Sequence, residues 1–216
     1  MKKTIYVLGI GHNSPDCIEL AVHCGYEVVG LYHYNDTRTN ESVHGYKILG
    51  SFDDMFQSGI VEGNNFMLSM GDNQIRASLC KRIIEAGGVV PTLIHPTAVV
   101  SRFANISEIG VHISPFVHVM SDVEIDDNTM ILTQAIIAHT TKIGKNCLIS
   151  LNASIGAYTV VEDFVFVGMG ALAISGKVNL IGHHAIIGAN SLLTHEVPAY
   201  AIMVGSPARQ TGENIQ

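Results

Sequence analysis

The chain has no tryptophan, few prolines and only 14% charged residues among its 216. These shortages narrow the function classes. No run of lysine or arginine occurs and the formal net charge is −7, so the electrostatic footprint of a nucleic-acid or anionic-membrane binder is missing. No apolar stretch approaches the roughly 20 residues that span a bilayer. The four cysteines, Cys17, Cys24, Cys80 and Cys147, have no CxxC spacing and read as buried thiols. The opening "MKKTIYVLGIGHN" lacks the pattern of a secretory signal and reads as a strand running into a glycine turn. The expectation is a reduced, cytoplasmic protein with no membrane insertion and no nucleic-acid partner. Against these shortages stands 47% hydrophobic content, enough for a substantial core.

Two halves follow different periods. Over residues 1–93, short apolar runs alternate with helical patterns. "TIYVLGIG" reads as a buried strand, "PDCIELAVHCGY" as a helix and "EVVGLYHYND" as a second strand. "DDMFQSGI" suits a short helix, "NNFMLSMGDN" a third strand, and "QIRASLCKRIIEAGG" an amphipathic helix stopped by glycines. Strands alternating with helices predict a small parallel α/β sheet of Rossmann-like type. Its ligand side is the carboxyl ends of the strands, which carry "GIGHNS", "YND" and "MGDNQIR". A G-x-G-x-x-G fingerprint is absent, so a dinucleotide cofactor is not supported.

Residues 94–216 have a six-residue rhythm. From Ile113 to Val167 every sixth residue is Ile or Val, ten in succession. The pattern weakens at Ala173 and resumes two residues out of phase at Ile181, Ile187 and Leu193. Upstream it runs through Ile94, Val100 and Ile106. The fourth residue after a hit is often small or β-branched, as at Thr129, Thr141, Cys147 and Ala153. Six residues do not fit the α-helical period of about 3.6. They fit a parallel β-solenoid in which each hexad makes one side of a triangular coil. Three hexads close a coil of 18 residues, with the first and fifth positions of each pointing inward.

The hexads "IDDNTM", "IGKNCL", "VEDFVF" and "IGHHAI", with the tail "VPAYAIMVGSPAR", are similar to the hexapeptide-repeat acyltransferases. Together with the α/β first half, the chain resembles the sugar acetyltransferases of surface-glycan biosynthesis, which include nucleotide-amino-sugar N-acetyltransferases and sialic-acid O-acetyltransferase-like proteins. The resemblance implies a left-handed parallel β-helix assembled as a homotrimer, an N-terminal domain that holds a nucleotide sugar, and acetyl-CoA as co-substrate with no metal. It implies His139, within "IAHTTKIG", as general base. It places Gly9, Gly11, His12, Asp36, Gly71, Asp72, Asn73 and Arg76 at the sugar-nucleotide site, and Gly205, Pro207 and Arg209 of the tail with the acyl donor. The chain departs from the family where Thr140 and Leu148 replace an acidic residue and a second histidine.

The chemistry expected of His139 is proton abstraction from an attacking amine, for which a neutral imidazole is suited. Thr140 can hydrogen-bond to it but brings no charge. Subtracting one coil from Thr140 gives Asp122, a substitute carboxylate by register. Adding one coil to His139 gives Ala157, which with Gly156 offers backbone N–H groups to an oxyanion. Ser150 and Asn152 are weaker donor-contact candidates. Met130, Leu148 and Phe166, 18 apart, are expected to form an outward apolar column at a trimer contact, with Leu148 lining the intersubunit crevice. His112 and His118 are expected at the surface. Taken without the resemblance, His139 reads as a solvated turn residue. An O-acetyltransferase and a non-catalytic trimeric nucleotide-sugar-binding protein are the alternative readings.

Overall fold

The structure, a computed structural model, describes residues 3–215. It forms two compact units, Met1–Leu93 and Ile94–Gln216. In the first, β1 (Lys3–Leu8), β2 (Tyr26–His33), β4 (Tyr46–Ser51) and β5 (Phe66–Leu68) are parallel, and β3 (Ser42–Val43) pairs antiparallel with β4. The sheet order is β3-β4-β2-β1-β5, so the carboxyl ends of β2, β1 and β5 lie side by side. Three helices connect them: α1 (Ser14–His23), α2 (Phe52–Gln57) and α3 (Asn73–Glu85). Ser51 starts α2 through a reciprocal capping box with Asp54. Asp72 starts α3, accepting from the N–H groups of Gln74 and Ile75.

The β3–β4 hairpin escapes a reading based on periodicity, because its first strand is two residues long. Its turn is His44–Gly45, both at positive φ, which matches the right-handed strand twist that favours such two-residue turns. The HG dipeptide between apolar runs was the available signal.

The second unit is a parallel β-helix. Its first face stacks His112–Ile113, Met130–Ile131, Leu148–Ile149, Phe166–Val167 and Ile186–Ile187. The second stacks Val99–Val100, His118–Val119, Ile136–Ile137, Ser154–Ile155, Leu172–Ala173 and Leu192–Leu193. The third stacks Asn105–Ile106, Glu124–Ile125, Lys142–Ile143, Val160–Val161 and Leu180–Ile181. All ten hexad positions from Ile113 to Val167 are buried in one continuous core. The fifth positions join them, and threonine is tolerated there for a reason. Thr129, Thr141 and Thr159 donate their hydroxyls to the carbonyls of Gly144, Gly156 and Val178 at 2.7–2.9 Å, so these three buried hydroxyls are paired.

Each turn that follows a hexad position from Ile113 to Val167 places its fourth residue in the left-handed region, including Asp122, Asn128, Thr140, Asn146, Asn152 and Tyr158. The two residues added after Ala173 widen one turn, where the Lys177 and Val178 N–H groups both donate to the Ile174 carbonyl. The chain ends in a hairpin, Ala201–Gly205 with Ala208–Glu213, on the first face.

Three expectations are corrected. Met130 and Leu148 are 2% and 3% exposed; the chain itself covers this column, so it is not a free apolar patch and Leu148 lines no open crevice. His112, in the same column, is buried too, whereas His118 on the second face is exposed. Ile94 is exposed rather than inward, because the first coil has a stacked coil on one side only.

Candidate functional site

His139 occupies the edge between the second and third faces. The strand Ile136–Ile137 delivers it there, and the left-handed Thr140 turns the chain into Lys142–Ile143. The imidazole is exposed. Its Nδ1 lies 3.3 Å from Thr140 Oγ1, and the ring meets Tyr158 edge-to-face at 5.2 Å between centroids. The stacking that carries this edge is explicit in the backbone, since Thr140 N–H donates to Ser121 O and Tyr158 N–H to His139 O. Ser121, His139, Ala157 and Ser175 therefore form one column, and Asp122, Thr140, Tyr158 and Gly176 the next.

Asp122 lies one coil below Thr140, as the 18-residue register requires. Among the described residues its carboxylate makes no hydrogen bond or ion pair with His139, whose side-chain hydrogen-bond partner is Thr140. The Ala157 N–H is not free in this structure: it donates to Ser175 Oγ at 2.9 Å. Gly156 is required beside it, because a Cβ there would run into the backbone N of Ser175 in the next coil. Sequence reasoning missed Tyr158 and Ser175. The signal was the same coil arithmetic carried further, from 140 to 158 and from 157 to 175.

The other acyl-donor candidates lie elsewhere on the chain. Ser150 and Asn152 are on the edge between the first and second faces, Ser150 largely buried and Asn152 at φ 57°. Gly205, Pro207 and Arg209 sit in and after the terminal turn, exposed, with Arg209 Nη1 donating to Ala208 O. One chain therefore does not bring these residues to His139.

In the first unit, the turn after β1 carries Gly9, Gly11 and His12. Gly9, at φ 97°, has the Ser69 hydroxyl in the space a Cβ would fill. That hydroxyl is shared between the carbonyls of Leu8 and Gly9 and ties β5 to the turn. Gly11, His12 and Asp36 are exposed. Gly71 precedes the helix cap made by Asp72, one of whose carboxylate oxygens is committed to two backbone N–H groups at 2.9 Å. Arg76 is corrected from ligand contact to scaffold. It is fully buried, with Nη1 on Met70 O and Nη2 on Asn73 Oδ1, because a guanidinium inside an α/β layer must find acceptors within the fold. Beside it, burial pushes the Cys17 thiol up to about 12, which makes it an inert core residue.

A groove of about 610 Å³ opens on the third face, lined by Glu124, Asp126, Lys142, Glu162, Asp163 and His184 among others. Lys142 is paired with Glu124 at 2.9 Å, so the lining is net acidic and repels phosphate. This groove is thus a poor donor site.

The first domain matches the PglD N-terminal domain family over residues 4–83. A GDP-perosamine N-acetyltransferase of Escherichia coli is 28% identical over 195 residues, 89% of this chain and 86% of that protein. Among solved structures, a histidine-to-alanine mutant of GDP-perosamine N-acetyltransferase from Caulobacter crescentus, in complex with CoA and GDP-perosamine, is 26% identical. It superposes with a TM-score of 0.89 over 97% of each chain.

The chain is similar to GDP-perosamine N-acetyltransferases along most of its length.

The acetyltransferase domain of PglB from Neisseria gonorrhoeae, solved with acetyl coenzyme A, shares the fold at 24% identity and a TM-score of 0.87, covering 98% of this chain and all of that one. Among the described residues no group of three or more His, Cys, Asp or Glu side chains is arranged to hold a metal ion, and no helix is long and apolar enough to cross a membrane.

Proposed function

We propose that this chain is an acetyl-CoA-dependent N-acetyltransferase acting on a nucleotide-linked 4-amino-4,6-dideoxy sugar, with His139 as general base. The observation that carries the reading is the exposed imidazole on a β-helix edge, within a chain that matches a CoA- and GDP-perosamine-bound relative along almost its full length. With Nδ1 beside Thr140 Oγ1, Nε2 is the nitrogen available to a substrate. It takes the proton of the sugar amine as nitrogen attacks the thioester carbon. The C–N bond forms while the carbonyl electron pair moves to oxygen. Collapse of that oxyanion breaks the C–S bond, and the proton held by His139 passes to the departing thiolate.

An amine suits this site better than a sugar hydroxyl. Once deprotonated it is a good nucleophile, and it tolerates a base supported by Thr140 rather than a carboxylate. The nucleotide end is proposed to rest on the carboxyl ends of β1, β2 and β5, at Gly9, Gly11, His12, Asp36, Gly71 and Asp72, with Asn73 and Arg76 fixing the third turn. The donor groove is proposed to form between copies in a homotrimer. His139 and Asn152 stand on different edges of one prism, so a groove using both needs a second chain.

The test is incubation with acetyl-CoA and a panel of UDP-, GDP- and dTDP-linked amino sugars, following thiol release. Release dependent on one sugar and lowered about 10²–10⁴-fold in His139→Ala is expected. Binding of a sugar nucleotide without thiol release would sink the catalytic reading.

A further inference from the structure

We infer that the Ser175 hydroxyl, not a backbone N–H, donates to the acyl oxyanion. The inference rests on the acetyl-transfer reading above. Three observations on the same edge carry it. The Ala157 N–H, one coil beyond His139, is committed to Ser175 Oγ at 2.9 Å. Ser175 Oγ acts there as acceptor, and among the described residues its own proton has no protein acceptor. Ser175 is exposed on the edge that carries His139. It lies in the widened turn, the one place after Val167 where two extra residues interrupt the hexads.

The geometry follows from the coil spacing. Successive coils are about 4.8 Å apart, so an unaided Ser175 would stand two coils above His139. The bond to Ala157 holds its oxygen 2.9 Å from that N–H, below the level of its own coil, so that its proton faces an acyl oxygen lying along the edge beside Ala157. A hydroxyl that accepts from an N–H is polarised and becomes the stronger donor. In the step described above, the carbonyl oxygen gains its electron pair as the C–N bond forms. Ser175 O–H donates to it without transferring its proton, and that hydrogen bond is released when the C–S bond breaks. Serine side chains are suited to this role, and loss of one such donor costs on the order of 10²–10³ in kcat.

The experiment compares Ser175→Ala, Ser175→Thr and Ser175→Cys with the wild type, measuring kcat and KM for acetyl-CoA and the sugar nucleotide together with the melting temperature. Ser175→Ala is expected to lower kcat about 10²-fold with KM for acetyl-CoA within about 3-fold and an unchanged melt. Ser175→Thr, which keeps the hydroxyl, should stay within about 10-fold of wild type. Ser175→Cys fills the same space with a weak donor and should follow Ser175→Ala, which keeps the test decisive if the alanine variant folds poorly. A kcat in Ser175→Ala equal to or above wild type overturns the inference and leaves the freed Ala157 N–H as the donor. A change confined to KM overturns it as well. Absence of wild-type turnover with every sugar overturns the acetyl-transfer reading and this inference together, whereas His139-dependent turnover insensitive to Ser175 removes the inference alone.

Discussion

Thr140 holds its backbone at φ 60°, a region that a β-branched residue enters only at a cost of roughly 1–2 kcal/mol. Asparagine fills the same turn position at 128, 146 and 152. Strain next to the base is the usual signature of a residue kept for its side chain, here the hydroxyl beside His139 Nδ1. Thr140→Asn is therefore expected to raise stability by about 1 kcal/mol in urea titration while lowering kcat. Asp122, which makes no bond to His139, should be replaceable by asparagine with kcat within about 2-fold, the margin of an exposed charge change. A drop beyond 10-fold in Asp122→Asn would restore it as the acid partner. The residue scale also holds a pH dependence. His184 is stacked between Phe164 and Tyr200 and shares a 3.1 Å Nδ1–Nδ1 contact with His183. Burial lowers its pKa below the ordinary 6.5, the His183 charge lowers it further, and Asp163 opposes. Well above pH 6.5 neither the folded nor the unfolded chain protonates it, so it contributes nothing to the slope there. Below 6.5 the unfolded chain binds the proton first, and stability falls as the pH drops toward the lowered folded value. Denaturation midpoints from pH 8 to 5.5 should fall less steeply for His184→Phe than for the wild type; identical slopes would refute this.

At the scale of the element, the hexad is almost wholly legible. The inward places of Ile113 through Val167 follow from spacing alone, because a side chain in a stacked triangular coil has one direction that excludes water. What spacing does not reveal is how closely coils approach at the turns. Gly144, Gly156, Gly168 and Gly182 follow hexad positions, and a Cβ at each would meet atoms of the next coil. The requirement depends on a neighbour roughly one coil away in sequence and leaves no local pattern. Gly156→Ala should accordingly force the turn bearing Ser175 outward, costing about 1–3 kcal/mol. A melting curve checks it, and a stability equal to wild type would mean that the coils can separate freely. The same limit hid Ser175. The two-residue offset after Ala173 was visible, but its consequence, a hydroxyl seated on the Ala157 N–H, exists only once the coils are stacked.

At the scale of the whole molecule, the expected outward column of Met130, Leu148 and Phe166 failed because periodicity identifies outward positions but not what covers them. The apolar column that is exposed runs along the second face instead, where Val99, Ile136 and Leu172 are 62%, 40% and 42% exposed. His118, Ser154 and Leu192 complete that column. Exposed large apolar side chains on alternate coils of one column make the kind of patch that marks an interface. Its place also fits the chemistry. The second face is bounded on one side by the edge bearing His139 and on the other by the edge bearing Asn152, so copies meeting through this face would bring the edges of different chains together. Single charges at Ile136→Asp and Leu172→Asp are buried on association without partners, and such a charge costs several kcal/mol. Sedimentation should therefore show a trimer for the wild type and a monomer for the double variant, with thiol release lost although the monomer keeps its melting transition. A double variant that remains trimeric would move the interface to another face, and a monomeric variant with full turnover would show that one chain suffices for the chemistry.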